Sequence, residues 1–242
     1  MHFDAPSILQ QLDAVRIERQ QRLDNPELRV RVDAVKRFQQ RRFEFTYADL
    51  LASARYRAAA RFFLDELYGP QDFTRRDAQL ARVTPALVRL FPAQVVDVVG
   101  TVVSLHALSE RLDSAMGQQL QGGEVDAQAY VAAWRSAGQP AQRDLQISFT
   151  TEVGASLDRL VSTSVLRQSL RLMRGPARAA GLGDLQDFLE RGFDAFRAMR
   201  GAGEFLALVE QRERRIATTL FGAGDAASLR AACALLPASM PV

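Results

Sequence analysis

The sequence predicts an all-α protein, built as one domain of about eight to ten helices around a central apolar helix. Apolar residues recur at three- and four-residue steps along nearly all of the 242 residues, which is the period of an amphipathic helix. Glycine and proline mark the joints between these stretches. Because the joints are short, we expect residues 1–242 to form a single domain.

The first 45 residues predict a helical hairpin that packs on the core or extends from it. Ile8, Leu12 and Val15 form an apolar face of the first helix, and Arg16 and Arg19 a basic one. The break at 24–26 ends this helix, since the proline there fits the first turn of the next helix.

A third helix is predicted to begin at Thr46 and to end at Gly69-Pro70. Thr46 is followed three residues later by Asp49, the spacing of a capping box, in which each side chain bonds a free backbone N–H group. The apolar positions of this stretch run from Leu50 to Leu67 at helical spacing.

The segment FFLDELYGPQDFTRRD, residues 62–77, contains a second capping signal, Thr74 with Asp77. Residues 68–74 are therefore predicted to be a tight connection between two helices. Asp72 is expected to accept hydrogen bonds from backbone N–H groups in that turn.

The central helix is predicted from about Pro92 to Met116. The stretch VVDVVGTVV, residues 95–103, is rich in β-branched residues and could also be a buried strand. Its apolar residues nevertheless follow helical steps as far as Leu112, and an isolated strand would have no partner. A helix that is apolar on most sides is expected to be buried.

The C-terminal half predicts further helices, separated at Gly138-Gln139-Pro140, at Gly175-Pro176 and near Gly201. A last long helix begins near Phe205. Residues 225–242 contain one short helix and two prolines, and we expect them to be a loosely held tail.

Composition narrows the classes of protein. Charged residues make up 24% of the chain, so wholesale disorder is not expected. The single cysteine, Cys233, excludes an intramolecular disulfide and a cysteine-rich metal site, and it suits a reducing compartment. The apolar stretch 95–108 is too short and too polar to span a bilayer. We therefore expect a cytoplasmic protein with no membrane partner.

His106 is the main candidate for chemistry, because a neutral imidazole can act as a general base or a ligand. Glu110 shares its helix face and could orient it. The alternative is a histidine that is hydrogen-bonded within a helical core. The sequence has no Glu-x-x-His pair and no second useful histidine, so no metal and no cofactor are predicted.

Arg75 and Arg76 begin a predicted helix, where free N–H groups and the helix dipole favour an anion. Together with Tyr68 they are expected to form the polar rim of a ligand site near His106. The alternative is that these arginines lie at the surface beside a capping Asp77.

FFLDELYGPQDFTRRD resembles a motif of a family of uncharacterised bacterial proteins of about this length. The later block LMRGPARAAGLGDLQDFLERGFDAFRAM, residues 172–199, is similar to the C-terminal half of the same family. The resemblance implies bacterial origin, and because the family has no known activity it implies no catalytic residue.

Two weaker patterns suggest other functions. Lys36, Arg37, Arg41 and Arg42 form a basic cluster with interleaved phenylalanines, which suggests nucleic-acid contact, although no recognised nucleic-acid motif accompanies it. The segment AYVAAWRSAGQPAQRDLQISF, residues 129–149, is similar to the region around the proximal histidine of globins. Trp134 or Arg135 stands where that histidine is expected, so a globin-like fold would lack the usual haem ligand.

The sequence contains no complete catalytic constellation, so no catalytic residue is assigned. We expect a non-enzymatic interaction or regulatory protein that binds a protein partner or a second copy of itself. The alternative is a protein or enzyme that binds a small anionic ligand in a pocket near His106. That alternative predicts a cavity that brings His106 within reach of Tyr68, Arg75 or Arg76.

Overall fold

The computed structural model describes residues 2–67, 71–162 and 164–238, and within them it is all-α, without a strand. The predicted fold class is confirmed. The described chain forms twelve helices, with these bounds: α1 Ala5–Asp24, α2 Pro26–Thr46, α3 Ala48–Ala52, α4 Arg57–Leu67, α5 Thr74–Leu90, α6 Ala93–Gln119, α7 Ala127–Ala137, α8 Pro140–Val161, α9 Ser164–Ala179, α10 Gly183–Met199, α11 Gly203–Phe221 and α12 Ala226–Cys233.

Helix α6 is the central helix that the valine-rich stretch predicts, and the strand alternative is wrong. It is 27 residues long and packs against α1, α2, α7 and α8. Gly117 permits the close approach of α2, because a methyl group there would lie 2.5 Å from Cγ2 of Val32. The polar residues of α6 therefore also lie inside the protein.

The hairpin of α1 and α2 lies on α6. Asn25 ends α1 and caps α2 by accepting a hydrogen bond from the Leu28 N–H at 3.0 Å. Ile8 on α1 and Val35 on α2 are fully buried. Because both helices pack on α6, charged residues at the hairpin's inner face meet the polar residues of α6.

Three apolar clusters hold the helices together. The first joins the end of α2 to α3, α4, α10 and α11 and contains Phe63, Phe196 and Phe205. The second joins α2, α6, α7, α11 and α12, where the rings of Phe38 and Tyr130 stack at 4.5 Å. The third joins α1, α5 and α6. The candidate site has walls from the first and third clusters.

The predicted third helix is wrong in its start and in its continuity. Thr46 is the last residue of α2, and Ser53 separates α3 from α4. Asp49 binds the guanidinium of Arg212 through both carboxylate oxygens, each at 2.7 Å, instead of capping. A contact between helices distant in sequence thus replaces the local capping box.

Two further expectations at the C-terminal end differ from the structure. Helix α9 continues through Pro176 to Ala179, on a stretch where Leu172 is 77% exposed, so water can bind the carbonyl that proline leaves free. Helix α12 contacts α7 and α11, and Ala232 and Leu236 are buried. The segment up to Leu236 is therefore packed and not a loose tail, and residues 239–242 lie outside the described part.

Candidate functional site

A cavity of about 100 Å³ lies where α1, α2, α4, α5, α6, α8 and α10 meet. Its wall combines apolar residues with polar and charged ones. The polar and charged residues are Lys36, Gln39, Glu66, Arg76, Asp77, His106, Ser109, Glu110, Asp113, Gln146 and Thr150. A cavity with apolar walls and convergent polar groups is the usual form of a ligand site, although this one is small.

His106 projects from α6 into the cavity, and Asp77 of α5 orients it. Nε2 of His106 lies 2.9 Å from Oδ2 of Asp77 and 3.1 Å from a guanidinium nitrogen of Arg19. With its proton on Nε2 the ring donates to Asp77, and Arg19 pairs with the same carboxylate oxygen at 2.9 Å. Nδ1 is then an acceptor without a donor among the described residues. With the proton on Nδ1, Nε2 instead accepts a hydrogen bond from Arg19, and Nδ1 is a donor.

This arrangement can accept a proton from a bound molecule. A carboxylate that holds one imidazole nitrogen leaves the other as a base, which is the geometry of general base catalysis. Burial acts to raise the pKa of Asp77, but the hydrogen bond from His106 and the charges of Arg19 and Arg76 outweigh it and lower that pKa. Asp77 is therefore ionised and can fix the orientation of the ring.

Of the two roles predicted for acidic residues near residue 74, the structure confirms that of Asp72 and contradicts that of Asp77. Asp72 accepts a hydrogen bond from the Thr74 N–H at 2.9 Å, as predicted for that residue. Asp77 was expected to complete a capping box with Thr74, and this is wrong, because its carboxylate turns inward to His106 and Arg19. Asp77 is therefore a residue of the site and not a helix cap.

Glu110 holds a group of buried cations one turn beyond His106 on α6. Its carboxylate binds Arg22 of α1 and Lys36 of α2, the latter at 2.9 Å, and lies 3.7 Å from Arg19. Burial alone would raise the pKa of Glu110, but Lys36 and Arg22 lower it to about 2. Glu110 was expected to orient His106, but no hydrogen bond joins the two among the described residues. Arg19 lies between them, 3.7 Å from Glu110 and 3.1 Å from His106.

Asp113 lies one turn further along α6 and makes no ion pair with the described residues, although Lys36 and Arg143 are near enough to act on its charge. Gln39 donates to Oδ1 at 2.9 Å, and Oδ2 makes no hydrogen bond to the described residues. Burial raises the pKa of Asp113 and outweighs the opposing charge of Lys36. Asp113 is thus the one carboxyl group of the cavity wall that the described chain leaves without an ion pair.

Replacing Asp113 by Asn is expected to raise the free energy of unfolding near neutral pH by about 1–2 kcal/mol, because the amide removes a poorly compensated buried acid. The sign follows from the raised pKa: the carboxyl group destabilises the folded state once the pH exceeds its unfolded pKa. The gain should therefore vanish below about pH 4. Urea unfolding at both pH values measures it, and a loss of stability at neutral pH would contradict this account.

The three other residues predicted for the ligand site have different positions. Arg76 lines the cavity, and its guanidinium lies over the rings of Phe73 at 4.0 Å and Phe188 at 4.6 Å. Arg75 points to solvent, with 85% of its side chain exposed, and lies 3.5 Å from Asp184. Tyr68 lies outside the described residues. Thus the structure brings Arg76, but not Arg75, together with His106.

The sequence analysis missed Arg19, Arg22 and the inward position of Lys36. A signal for the two arginines exists, because Ile8, Leu12 and Val15 continue at the same three- and four-residue steps to positions 19 and 22. Both arginines therefore lie on the stripe of α1 that faces α6, whereas the prediction placed Arg19 on an outer basic face.

The basic cluster of α2 does not form a continuous cationic surface. Lys36 binds Glu110, and Arg42 binds Glu213 at 2.8 Å with 6% of its side chain exposed. Arg41 lies over the ring of Phe38 at 5.5 Å. Two of the four charges that suggested nucleic-acid contact are thus used inside the protein, while Arg37 and Arg41 are exposed.

The segment with globin-like spacing is closely packed at its key position, where Trp134 is buried. Trp134 is packed between Tyr130 and Phe221, and the guanidinium of Arg143 lies 4.0 Å over its ring. A globin-like relationship stays a prediction. Within the described residues, no group of three or more His, Cys, Asp or Glu side chains could hold a metal ion. None of the helices described has the length and apolar character needed to cross a membrane.

Comparison with known proteins gives one match. Residues 18–227 match the family model described as Domain of unknown function (DUF8198). No curated protein and no solved structure matches the chain. Because the family model covers most of the sequence, the chain belongs to this family.

Proposed function

We propose that the protein binds a small amine in the cavity beside His106. The observation that carries the proposal is Oδ2 of Asp113, which accepts no hydrogen bond from the described residues. Nδ1 of His106 is a second acceptor without a donor in the tautomer that donates to Asp77. A ligand that brings N–H groups can donate to both atoms. An ammonium group would also give Asp113 the ion pair that the described chain does not supply.

The charges of the wall oppose the anionic ligand that the sequence suggested. The lining has four carboxyl groups, Glu66, Asp77, Glu110 and Asp113, and two permanent cations, Lys36 and Arg76. Both cations are engaged, Lys36 with Glu110 and Arg76 with Glu66. An anion would have to displace a carboxylate from one of them, whereas an ammonium group meets a carboxyl group that makes no ion pair with the described residues.

The volume of the cavity and the apolar residues of its wall limit the size and the chemical class of the ligand. A cavity of about 100 Å³ accepts a body of only a few heavy atoms, since an apolar cavity of roughly 150 Å³ holds benzene. Leu80, Val103 and Leu185 belong to its wall and would contact a compact aliphatic group. The ligand class is therefore a short aliphatic amine.

Three probes with the same branched four-carbon skeleton test this proposal: isobutylamine, isobutanol and isobutyrate. We expect isobutylamine to shift the ring resonances of His106 and to bind roughly tenfold more tightly than isobutanol, which corresponds to one charge-assisted hydrogen bond. Isobutyrate should not bind. The chain has two histidines, and His2, which is 90% exposed, serves as the internal reference in the same NMR titration.

The matched variant is Asp113→Asn, which keeps the shape of the wall and removes the acid. It should bind isobutylamine no better than isobutanol. Preferred binding of isobutyrate, or equal responses of His106 and His2 to isobutylamine, would overturn the proposal.

A role in binding a protein partner or a second copy, a cytoplasmic location and a bacterial origin remain proposals from the sequence. The cavity bears on none of these three, and a small-molecule site is compatible with a regulatory protein.

A further inference from the structure

A groove of about 590 Å³ between α4 and α10 lies on the outer side of the cavity, and one residue belongs to both. Glu66 lines the cavity on its inner side and the α4–α10 groove on its outer side. Its side chain is only 7% exposed, so it forms part of the partition between the two spaces.

The two oxygens of Glu66 are held by two arginines that differ in freedom. Arg76 binds Oε2 at 3.2 Å from the cavity side, and it is 13% exposed and lies between two aromatic rings. Arg191 binds Oε1 at 2.7 Å from the groove side, is 62% exposed and makes no other ion pair among the described residues. Because an exposed ion pair is weak, Arg191 can leave Glu66 at small cost, whereas Arg76 is fixed.

The helices themselves cannot separate easily at this point. A methyl group at Gly192, next to Arg191, would lie 2.9 Å from the ring of Phe62, so α4 and α10 are in close contact there. The rings of Phe62 and Phe188 pack at 5.6 Å beside Glu66. An opening between groove and cavity therefore requires movement of side chains and not of a helix, and Arg191 is the more exposed of the two cations that hold Glu66 in place.

We infer that the α4–α10 groove is the entrance to the His106 cavity and that Arg191 is its gate. On entry, the ammonium group of the ligand replaces the Arg191 guanidinium on Glu66 and then passes inward. This inference rests on the proposed amine binding. It adds the route of entry and names the carboxylate of Glu66 as the group that selects for positive charge.

Asp65 is the one carboxylate of the groove without an ion pair among the described residues. The lining has five carboxylates and two guanidiniums, Arg61 and Arg191. Arginines of α9 pair with three of the carboxylates, on Asp187, Glu190 and Asp194. Together with these partners the groove has no excess of negative charge, so the selection for a cation lies at the carboxylate of Glu66 and not in the field of the whole groove.

Labelling of the two histidines by diethyl pyrocarbonate tests the gate without a ligand. At about pH 8, where ordinary imidazoles are neutral, the rate at His106 relative to His2 is measured by peptide mass spectrometry. We expect Arg191→Gln to raise this ratio roughly two- to fivefold, the factor that corresponds to a partly exposed ion pair. Arg191→Lys, which keeps a cation on Glu66, should stay close to wild type.

The matched control is Arg178→Gln, which removes the same charge from an arginine that pairs with a carboxylate of the groove. Arg178 binds Asp187 at 3.2 Å and does not touch Glu66, so its loss should leave the ratio unchanged. Equal ratios in Arg191→Gln and Arg178→Gln would overturn the gate, even if isobutylamine binds beside His106. A raised ratio in Arg191→Gln alone supports the gate, and a failure of isobutylamine to bind would then overturn only the proposed ligand.

Discussion

Replacing Glu110 by Gln is expected to lower the free energy of unfolding by about 3–5 kcal/mol, because it leaves buried cations without their partner. Arg22 and Lys36 both end on this carboxylate, and their side chains are 8% and 14% exposed. The amide of glutamine can accept hydrogen bonds from Arg22 and Lys36 but cannot neutralise their charges. Urea unfolding at neutral pH measures the difference.

The pH dependence of stability gives a second readout of the same substitution. The pKa of Glu110 is about 2 in the folded protein against an ordinary 4.5, so its contribution is complete above about pH 4.5 and is lost as the pH falls towards 2. This pKa shift corresponds to about 3 kcal/mol of stability, which the wild-type protein loses as the pH falls from 4.5 towards 2. The Glu110→Gln variant should not show this loss.

The matched control for Glu110 is Glu27→Gln. Glu27 is also paired with an arginine, Arg31, at 3.6 Å, but 87% of its side chain is exposed. We expect that change to cost under about 0.5 kcal/mol. A similar loss of stability in both variants would show that the ion pairs around Glu110 do not support the fold.

Replacing Phe205 by Ala is expected to cost about 3–5 kcal/mol, the usual range for removing a buried aromatic ring. Phe205 is fully buried at the start of α11, and its ring lies 5.6 Å from that of Phe63 on α4 and 5.8 Å from that of Tyr56. The cavity left behind would remove the aromatic contacts between α11 and α4. Thermal and urea unfolding measure the loss.

Phe45→Ala provides the comparison, since Phe45 is a phenylalanine of α2 with 53% exposure and should cost less than about 1 kcal/mol. Phe205→Leu should recover more than half of the loss because it fills most of the space. Equal effects at Phe45 and Phe205 would be inconsistent with the first apolar cluster as described.

The elements that the sequence predicted correctly are those whose signal is local. The hairpin at residues 24–26 needs only a capping Asn25 and a proline in the first turn, and both are adjacent in sequence. The central helix follows from the spacing of its valines, because that spacing decides which side chains share a face. His106 could be placed in the interior for the same reason.

The roles of charged residues could not be predicted in this way. Thr74 and Asp77 have the spacing of a capping box, but Asp77 binds His106 and Arg19 instead. Asp49 is a similar case, because it binds Arg212, which is 163 residues away in the chain. A local hydrogen bond worth about 1 kcal/mol gives way where a carboxylate can meet a guanidinium from another helix.

By itself the sequence determined the helical class, a central apolar helix from about Pro92 to Met116 and the position of His106 on that helix, because the spacing of side chains along one helix is a local property. The tertiary structure alone decided which charges meet: Asp77 with His106, and Lys36 with Glu110. It also decided that Asp113 makes no ion pair with the described residues. Ion pairing depends on distances between helices, and these are fixed only when the apolar faces have packed.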